Sequence, residues 1–369
     1  MSDTRNEKFA KILVDYSTNV QPGDRVAITA TTAAEPFVRA LYERVLQRGG
    51  YPHVLLEFTG ENEALFAYAN DAQLDFLPVF HKIAFNEFDV LIKVRSEINT
   101  RAMTGVDSTR LARRQRTLAE LISDQMRRGA TNELRWMSTA YPTQAYAMEA
   151  DMGMLEYQDF FFRACHADDA TLDPVAHWQS IRAEQQRAIE RIEGHEHIEL
   201  RGPHVDLSLS IKGRRFKNAC GLNNMPDGEI YTGPVEDSAN GWVHYTYPAV
   251  YAGRVVEGIE LTFEKGRVVK AAARSNEDLL LKMLNSDAGS RYLGEFAIGT
   301  NYEINRFTRS ILLDEKIGGS FHMAVGAGYP ETGSVNKSVV HWDMICDMRT
   351  DSEIRLDGEV IYKDGKFVF

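Results

Sequence analysis

A highly charged helical stretch at residues 175–192 divides this chain into two textures, and each texture requires a different kind of sheet. Ahead of it, helix-period and strand-like segments alternate. Phe9, Ile12, Leu13 and Tyr16 recur at helical spacing, Gln21-Pro22-Gly23-Asp24 breaks the run, and a β-rich stretch follows at 25–29. Glu35-Pro36 opens a second helix with Phe37, Ala40, Leu41, Val45 and Leu46 on one face, closed by Gly49-Gly50, where a helix end favours left-handed dihedrals. Strand-like runs at 52–57, 88–94 and 134–138 and a helix at 109–128 continue the alternation expected of a parallel sheet covered by helices. Beyond the charged stretch, period-two patterns at 197–200, 205–211, 243–247, 258–263 and 267–272 predict antiparallel strands, with a helix at 276–284 and turns such as Glu264-Lys265-Gly266. The expected fold is α/β: a Rossmann-like N-terminal α/β domain over residues 1–193, connecting helix included, then a mainly antiparallel β (α+β) domain over 194–369. A chain of 369 residues is also longer than one hydrophobic core usually serves.

Several functions are excluded by charge and pattern. With 42 basic and 53 acidic side chains the formal charge is −11, a field that repels phosphate backbones and anionic lipid surfaces, so neither nucleic acid nor membrane is an expected partner. No window approaches the roughly 18 uninterrupted apolar residues of a membrane span, and residues 1–10 carry no apolar signal core. Cys165, Cys220 and Cys346 are widely spaced and contain no CxxC pair, which suggests neither a disulfide frame nor a thiolate zinc site. A cytoplasmic protein is expected. The turn after the first strand reads Ala30-Thr31-Thr32-Ala33-Ala34-Glu35, without the glycine fingerprint of a dinucleotide site. Arg110, Arg113, Arg114 and Arg116 are read as a solvated helix face rather than an anion site.

Metal chemistry is the remaining possibility, and His-x-Asp pairs are the place to look, because residues two apart on a strand share a face. His166/Asp168 and His204/Asp206 read as ordinary surface or hydrogen-bonded pairs, and His195-Glu196-His197 as a solvated turn. His341/Asp343 differs in its surroundings. From Gly294 the chain becomes crowded with ionisable residues spaced by glycines: Gly294-Glu295, then Glu315, His322 and Tyr329, and finally His341-Trp342-Asp343. Upstream, Glu229 follows Gly228 in a tight turn, and glycine beside a carboxylate permits close approach of a ligand. Glu229, Glu295, Glu315 and Asp343 would balance two divalent cations, with His322 and His341 as neutral donors, a set that suits zinc, cobalt, manganese or iron. The alternative is that each residue caps a turn or faces solvent. Spacing alone leaves both open.

At these residues the chain resembles the M29 family of metallo-aminopeptidases, the aminopeptidase T and aminopeptidase S group. The likeness runs through Val20-Gln21-Pro22-Gly23-Asp24-Arg25-Val26, Arg135-Trp136, Tyr141-Pro142-Thr143 and Asn224-Met225-Pro226-Asp227-Gly228-Glu229. It continues through Gly294-Glu295, the segment from Asp314-Glu315 to His322, Tyr329-Pro330 and His341-Trp342-Asp343, and so spans nearly the whole chain. The resemblance implies a homodimeric peptidase that removes single residues from peptide N-termini using two divalent ions per chain, zinc, cobalt, manganese or magnesium. It implies Glu229, Glu295, Glu315, His322, Tyr329, His341 and Asp343 as metal-site residues, with the Glu315–His322 and Tyr329–His341 intervals differing from some relatives. In the implied mechanism a metal-activated hydroxide attacks the first peptide carbonyl and Tyr329 ligates a metal or donates to the oxyanion; Glu229 is the expected proton carrier because its glycine-flanked turn can leave a carboxylate oxygen free of the ions.

Two competing readings are retained. His322, His341 and Asp343 alone would make the two-histidine, one-carboxylate iron site of a ring-cleaving dioxygenase, a family known on a related fold, although that chemistry has no use for Glu229 and Glu295. The other is a two-domain binding protein without turnover. Trp136 and Trp342 are expected to be packing anchors, Cys220 and Cys346 buried small residues, and Arg135 a partner in an ion pair or an anion site.

Overall fold

The computed structural model describes residues 3–251 and 253–369. The chain divides into two compact units: one takes the chain up to Trp178 together with Gly221–Pro226, the other takes Gln179–Cys220 and Asp227–Phe369. The charged stretch is the helix Pro174–Ile192, which begins in the first unit and continues in the second.

The first unit is built on a five-stranded sheet in the order Tyr51–Glu57, Arg25–Thr31, Val90–Arg95, Arg135–Ala140, Asn224–Met225, and every pairing is parallel. Covering both faces of a parallel sheet demands apolar runs rather than alternation, and Val90, Leu91 and Ile92 are accordingly all buried. The helix Glu35–Gln47 turns Phe37, Val38, Leu41 and Val45 inward. Asn224–Met225 was not legible as a strand, being two residues long. It is held by Thr139 Oγ1 donating to Met225 O at 2.6 Å.

In the basic cluster on the helix Ser108–Ala130, Arg116 is exposed as expected, whereas Arg110, Arg113 and Arg114 depart from a solvated face. Arg110 donates to the carbonyls of Phe66 and Ala69 at 3.2 and 2.7 Å, and Arg114 to those of Leu74 and Phe76 at 3.1 and 2.8 Å. Arg113 pairs with Asp71 and, at 2.6 Å, with Asp75. These guanidinium groups therefore fasten the ends of the short helices Glu61–Tyr68 and Asp71–Leu74, whose last carbonyls have no partner within the helix. Arg135 is an ion-pair residue, 2.6 Å from Asp24.

The second unit holds an eight-stranded sheet and a five-stranded sheet, with strands paired antiparallel throughout, and a small hairpin of Ala249–Tyr251 with Arg254–Val256. The period-two segments read from the sequence lie mostly in the larger sheet, where Ile198, Leu200, Val205, Leu207, Val243 and Leu261 point into one core. The smaller sheet runs in the order His341–Asp347, Ser320–Gly326, Leu293–Gly299, Glu229–Thr232, Lys217–Ala219 and contributes its own apolar face to that core.

Candidate metal centre

Antiparallel pairing puts directly opposed residues on the same face of a sheet, so the register of the smaller sheet decides which side chains can meet. Ala324 lies between Glu295 and Asp343, His322 between Ala297 and Ile345, Gly326 opposite His341, and Gly299 opposite Glu229. The charged side chains thus share a face on which Ala297, Gly299, Ala324 and Gly326 leave room above the sheet, beside the larger Tyr231 and Ile345. The residues between them, Phe296, Ile298, Phe321, Met323, Trp342 and Met344, belong to the core on the reverse face. Trp342 is the packing anchor expected of it, 4% exposed.

Two glycines make this register possible. Leu293 and Glu295 are two apart and would share a face in a regular strand, but Leu293 pairs with Val325 and Glu295 with Ala324, so Gly294 is the extra residue of a bulge. The bulge sends Leu293 to the core and Glu295 to the charged face, and a Cβ on Gly294 would collide with the carbonyl of Ala327. Gly228, at φ +125°, lets the chain enter the Glu229–Thr232 strand, and a Cβ there would lie 2.9 Å from that of Asn301. Gln185 Nε2 then holds the backbone of the strand by donating to Glu229 O at 2.5 Å.

Six of the seven residues named from the sequence converge. His322 Nε2 is 3.5 Å from Glu229 Oε2 and 3.9 Å from Glu295 Oε1. His341 Nε2 is 3.3 Å from Glu295 Oε2 and 3.6 Å from Asp343 Oδ1. Donor atoms fall into three trios, each within 4.8 Å: Glu229, Glu295 and His322; Glu295, His341 and Asp343; Glu315, His322 and Asp343. None of the trios contains both histidines. The seventh residue, Tyr329, stands at the rim, 38% exposed, with its hydroxyl 3.4 Å from His341 Nε2.

The donors fit divalent cations by chemistry as well as by position. Glu229 Oε2 and Asp343 Oδ1 are buried without a hydrogen-bond partner, an arrangement that costs stability unless a cation completes it. His341 Nδ1 lies 2.8 Å from the carbonyl of Ala327, an acceptor only, so that nitrogen carries a proton and Nε2 is the one that faces the carboxylates and can ligate an ion once it has lost its own proton. Burial pushes the carboxyls of Glu229 and Glu295 above their ordinary range. For His341, burial works downward, but Glu295 and Asp343 outweigh it and lift the imidazole to about 10 in the metal-free chain.

Lys316 is a site residue that the sequence reading missed. It is 1% exposed, with Nζ 2.6 Å from Glu229 Oε1, 2.5 Å from Glu315 Oε1 and 3.7 Å from Asp227 Oδ1. Burial alone would lower its ammonium, and the carboxylates override that and hold it well above the usual range. Asp314, just ahead, accepts from Thr308 N and Oγ1 at 2.7 Å each and fixes the turn that presents Glu315 and Lys316. In sequence, Asp314-Glu315-Lys316 has the composition of a solvated surface run, and nothing in it signals burial.

The other pairs weighed in the sequence have local partners. Asp168 accepts from Thr171, Asp206 pairs with Arg201, and His195 Nδ1 lies 2.9 Å from Asp357. His166 rests against the ring of His177 at 4.0 Å between centroids.

Residues 2–367 match the family of thermophilic metalloproteases designated M29. The chain belongs to the M29 family. It is a metal-dependent hydrolase, and the resemblance read from its motifs is correct. Among its relatives, aminopeptidase 2 of Geobacillus stearothermophilus is 26% identical over 416 residues, covering 98% of this chain and 94% of that protein. Among solved structures, wild-type AmpT from Thermus thermophilus superposes with a TM-score of 0.86 at 22% identity, covering 99% of each chain. A 2,5-dihydroxypyridine dioxygenase from Pseudomonas putida superposes with a TM-score of 0.57 at 13% identity, covering 99% of this M29 chain and 96% of its own. At such identities the superpositions show a shared fold.

Proposed function

We propose that this M29 enzyme is a metal-dependent aminopeptidase that uses two divalent ions. Glu229, Glu295 and His322 would hold one ion and Glu295, His341 and Asp343 the other, with Tyr329 at the rim beside His341. The observation that carries this reading is that the two oxygens of Glu295 face different histidines, Oε1 toward His322 and Oε2 toward His341. A mononuclear iron site would draw both histidines into one donor group, whereas the trios put them in different groups that share Glu295 and Asp343.

When bound, two such ions polarise the first peptide carbonyl and acidify a water molecule. The chain's own residues do the rest. Lys316 fixes Glu229 Oε1, and Oε2, without a hydrogen-bond partner, takes the water's proton and returns it to the departing amine. Glu315, grouped with His322 and Asp343, would be a further carboxylate available to an ion. The Tyr329 hydroxyl donates to the oxyanion that develops on the carbonyl. The surplus of carboxylates attracts the free α-ammonium of a peptide. The reading extends to a cytoplasmic homodimer loaded with zinc, cobalt, manganese or magnesium, on the strength of family likeness; no helix among the described residues is long and apolar enough to cross a membrane.

The test pairs elemental analysis with two substrates, an aminoacyl anilide and its N-acetylated counterpart. Two ions per chain and release of anilide from the free-amine substrate alone are expected. Cleavage of the acetylated substrate, or a single ion at saturation, defeats the proposal.

Metal uptake should depend on pH. Because His341 is lifted to about 10, it is protonated in the metal-free chain at neutral pH, and an ion reaching Nε2 must displace that proton. Affinity is therefore expected to weaken as pH falls below that value, by about tenfold per unit for the His341 proton and more steeply where the raised carboxyls of Glu229 and Glu295 also take up protons. Calorimetry in two buffers of different ionisation enthalpy measures the release. An affinity constant between about pH 6 and 8 would contradict it.

A further inference from the structure

We propose that Lys316 is the resident counter-cation of the metal centre, a positioning residue whose charge makes the ion position at Glu229 and His322 the weaker of the two. The inference rests on the two-ion reading above. An ammonium 1% exposed persists only where carboxylates compensate it, and Lys316 has Glu229, Glu315 and Asp227 around Nζ.

Two consequences follow from where Nζ lies. By engaging Oε1 of both Glu229 and Glu315, it restricts each carboxylate to one remaining oxygen for an ion, so neither can chelate with both. It also places a fixed positive charge against the two donor trios that contain Glu229 and Glu315, and against no member of the trio Glu295, His341 and Asp343. Glu229, of the first trio, touches Lys316, whereas Glu295, His341 and Asp343 form no ion pair with it among the described residues. Repulsion falls with distance, so the ion beside Glu229 feels the ammonium more strongly than the ion beside Asp343.

Charge balance points the same way. Asp227, Glu229, Glu295, Glu315 and Asp343 face one ammonium, and the excess is what two divalent ions neutralise. Without Lys316, Glu229 and Glu315 would lose the ammonium that now lies against the Oε1 atom of each. An ion entering there would then relieve a larger penalty and bind more tightly.

The test is a Co2+ titration of stripped protein, followed by calorimetry and by visible absorption. Lys316→Gln keeps N–H donors for the carboxylates but removes the charge, and Lys316→Arg keeps the charge. The wild-type chain is expected to fill in two unequal steps. Lys316→Gln should tighten the weaker step about tenfold, or ~1.4 kcal/mol, leave the tighter step unchanged, and show a larger rise in Tm on Co2+ loading than wild type. Lys316→Arg should restore the wild-type inequality. A Lys316→Gln chain that folds only with Co2+ present supports the proposal. One that is destabilised equally with and without Co2+, or whose two steps move together, overturns it and leaves the two-ion reading standing. A wild-type chain that takes up a single ion defeats that reading, and this inference with it.

Discussion

A Glu295→Gln variant is expected to load one ion instead of two and to lose on the order of 10³-fold in kcat. The side chain is 3% exposed, and the amide has nearly the shape of the carboxylate, so the substitution changes charge and donor capacity without opening a cavity. Its nitrogen has no lone pair for an ion. One of the two directions that Oε1 and Oε2 now serve, toward His322 or toward His341, would be faced by an N–H donor instead of an acceptor. Elemental analysis gives the stoichiometry and steady-state kinetics gives the rate. Full loading with undiminished turnover would take Glu295 out of the site and remove the geometric reason for two ions.

Stripping the ions with a chelator is expected to reduce peptidase activity to background and to destabilise the fold at the same time. The second effect follows from the burial of donors that have no other partner. Glu229 Oε2 and Asp343 Oδ1 are each without a hydrogen bond, and the strands that carry them have their reverse faces in the main core of the second unit. A ligand present at about 1,000 times its dissociation constant adds ~4 kcal/mol to the folded state, and chelation should remove a contribution of that order. Denaturant unfolding with and without added zinc measures it, and activity should return on readdition. Activity that survives exhaustive chelation, or an unfolding midpoint indifferent to zinc, would sink the metallopeptidase mechanism for this chain.

Much of the fold was legible in the sequence because each half has one dominant period. The helix Glu35–Gln47 begins at the Glu35-Pro36 signal, and the strand Arg267–Ala272 coincides with its alternating run. The strands that carry the site were harder to read. In Leu293–Gly299 and Ser320–Gly326 every residue is buried, on the charged face as well as the apolar one, so burial leaves no in-and-out pattern to detect. The chemistry of the site was legible as residue types, since six of the seven named positions meet. Its connectivity was not. Register depends on a one-residue bulge at Gly294, and no local pattern announces a bulge. Lys316 was invisible for a different reason: a lysine after two acidic residues has the appearance of a solvated surface, and only the tertiary fold encloses it. Arg110 and Arg114 of the helix Ser108–Ala130 misled in the same way, because their acceptors are backbone carbonyls, which carry no sequence signature.

Along the strands of the smaller sheet, neighbouring positions answer to separate demands. Glu295, His322 and Asp343 serve reactivity, whereas Phe296, Phe321 and Trp342 serve cohesion. Mutations at one set of positions can therefore accumulate while the other set keeps the protein folded. An architecture organised in this way is free to exchange one reaction for another over evolutionary time, and a shared fold between this peptidase and an oxygenase is what such freedom permits.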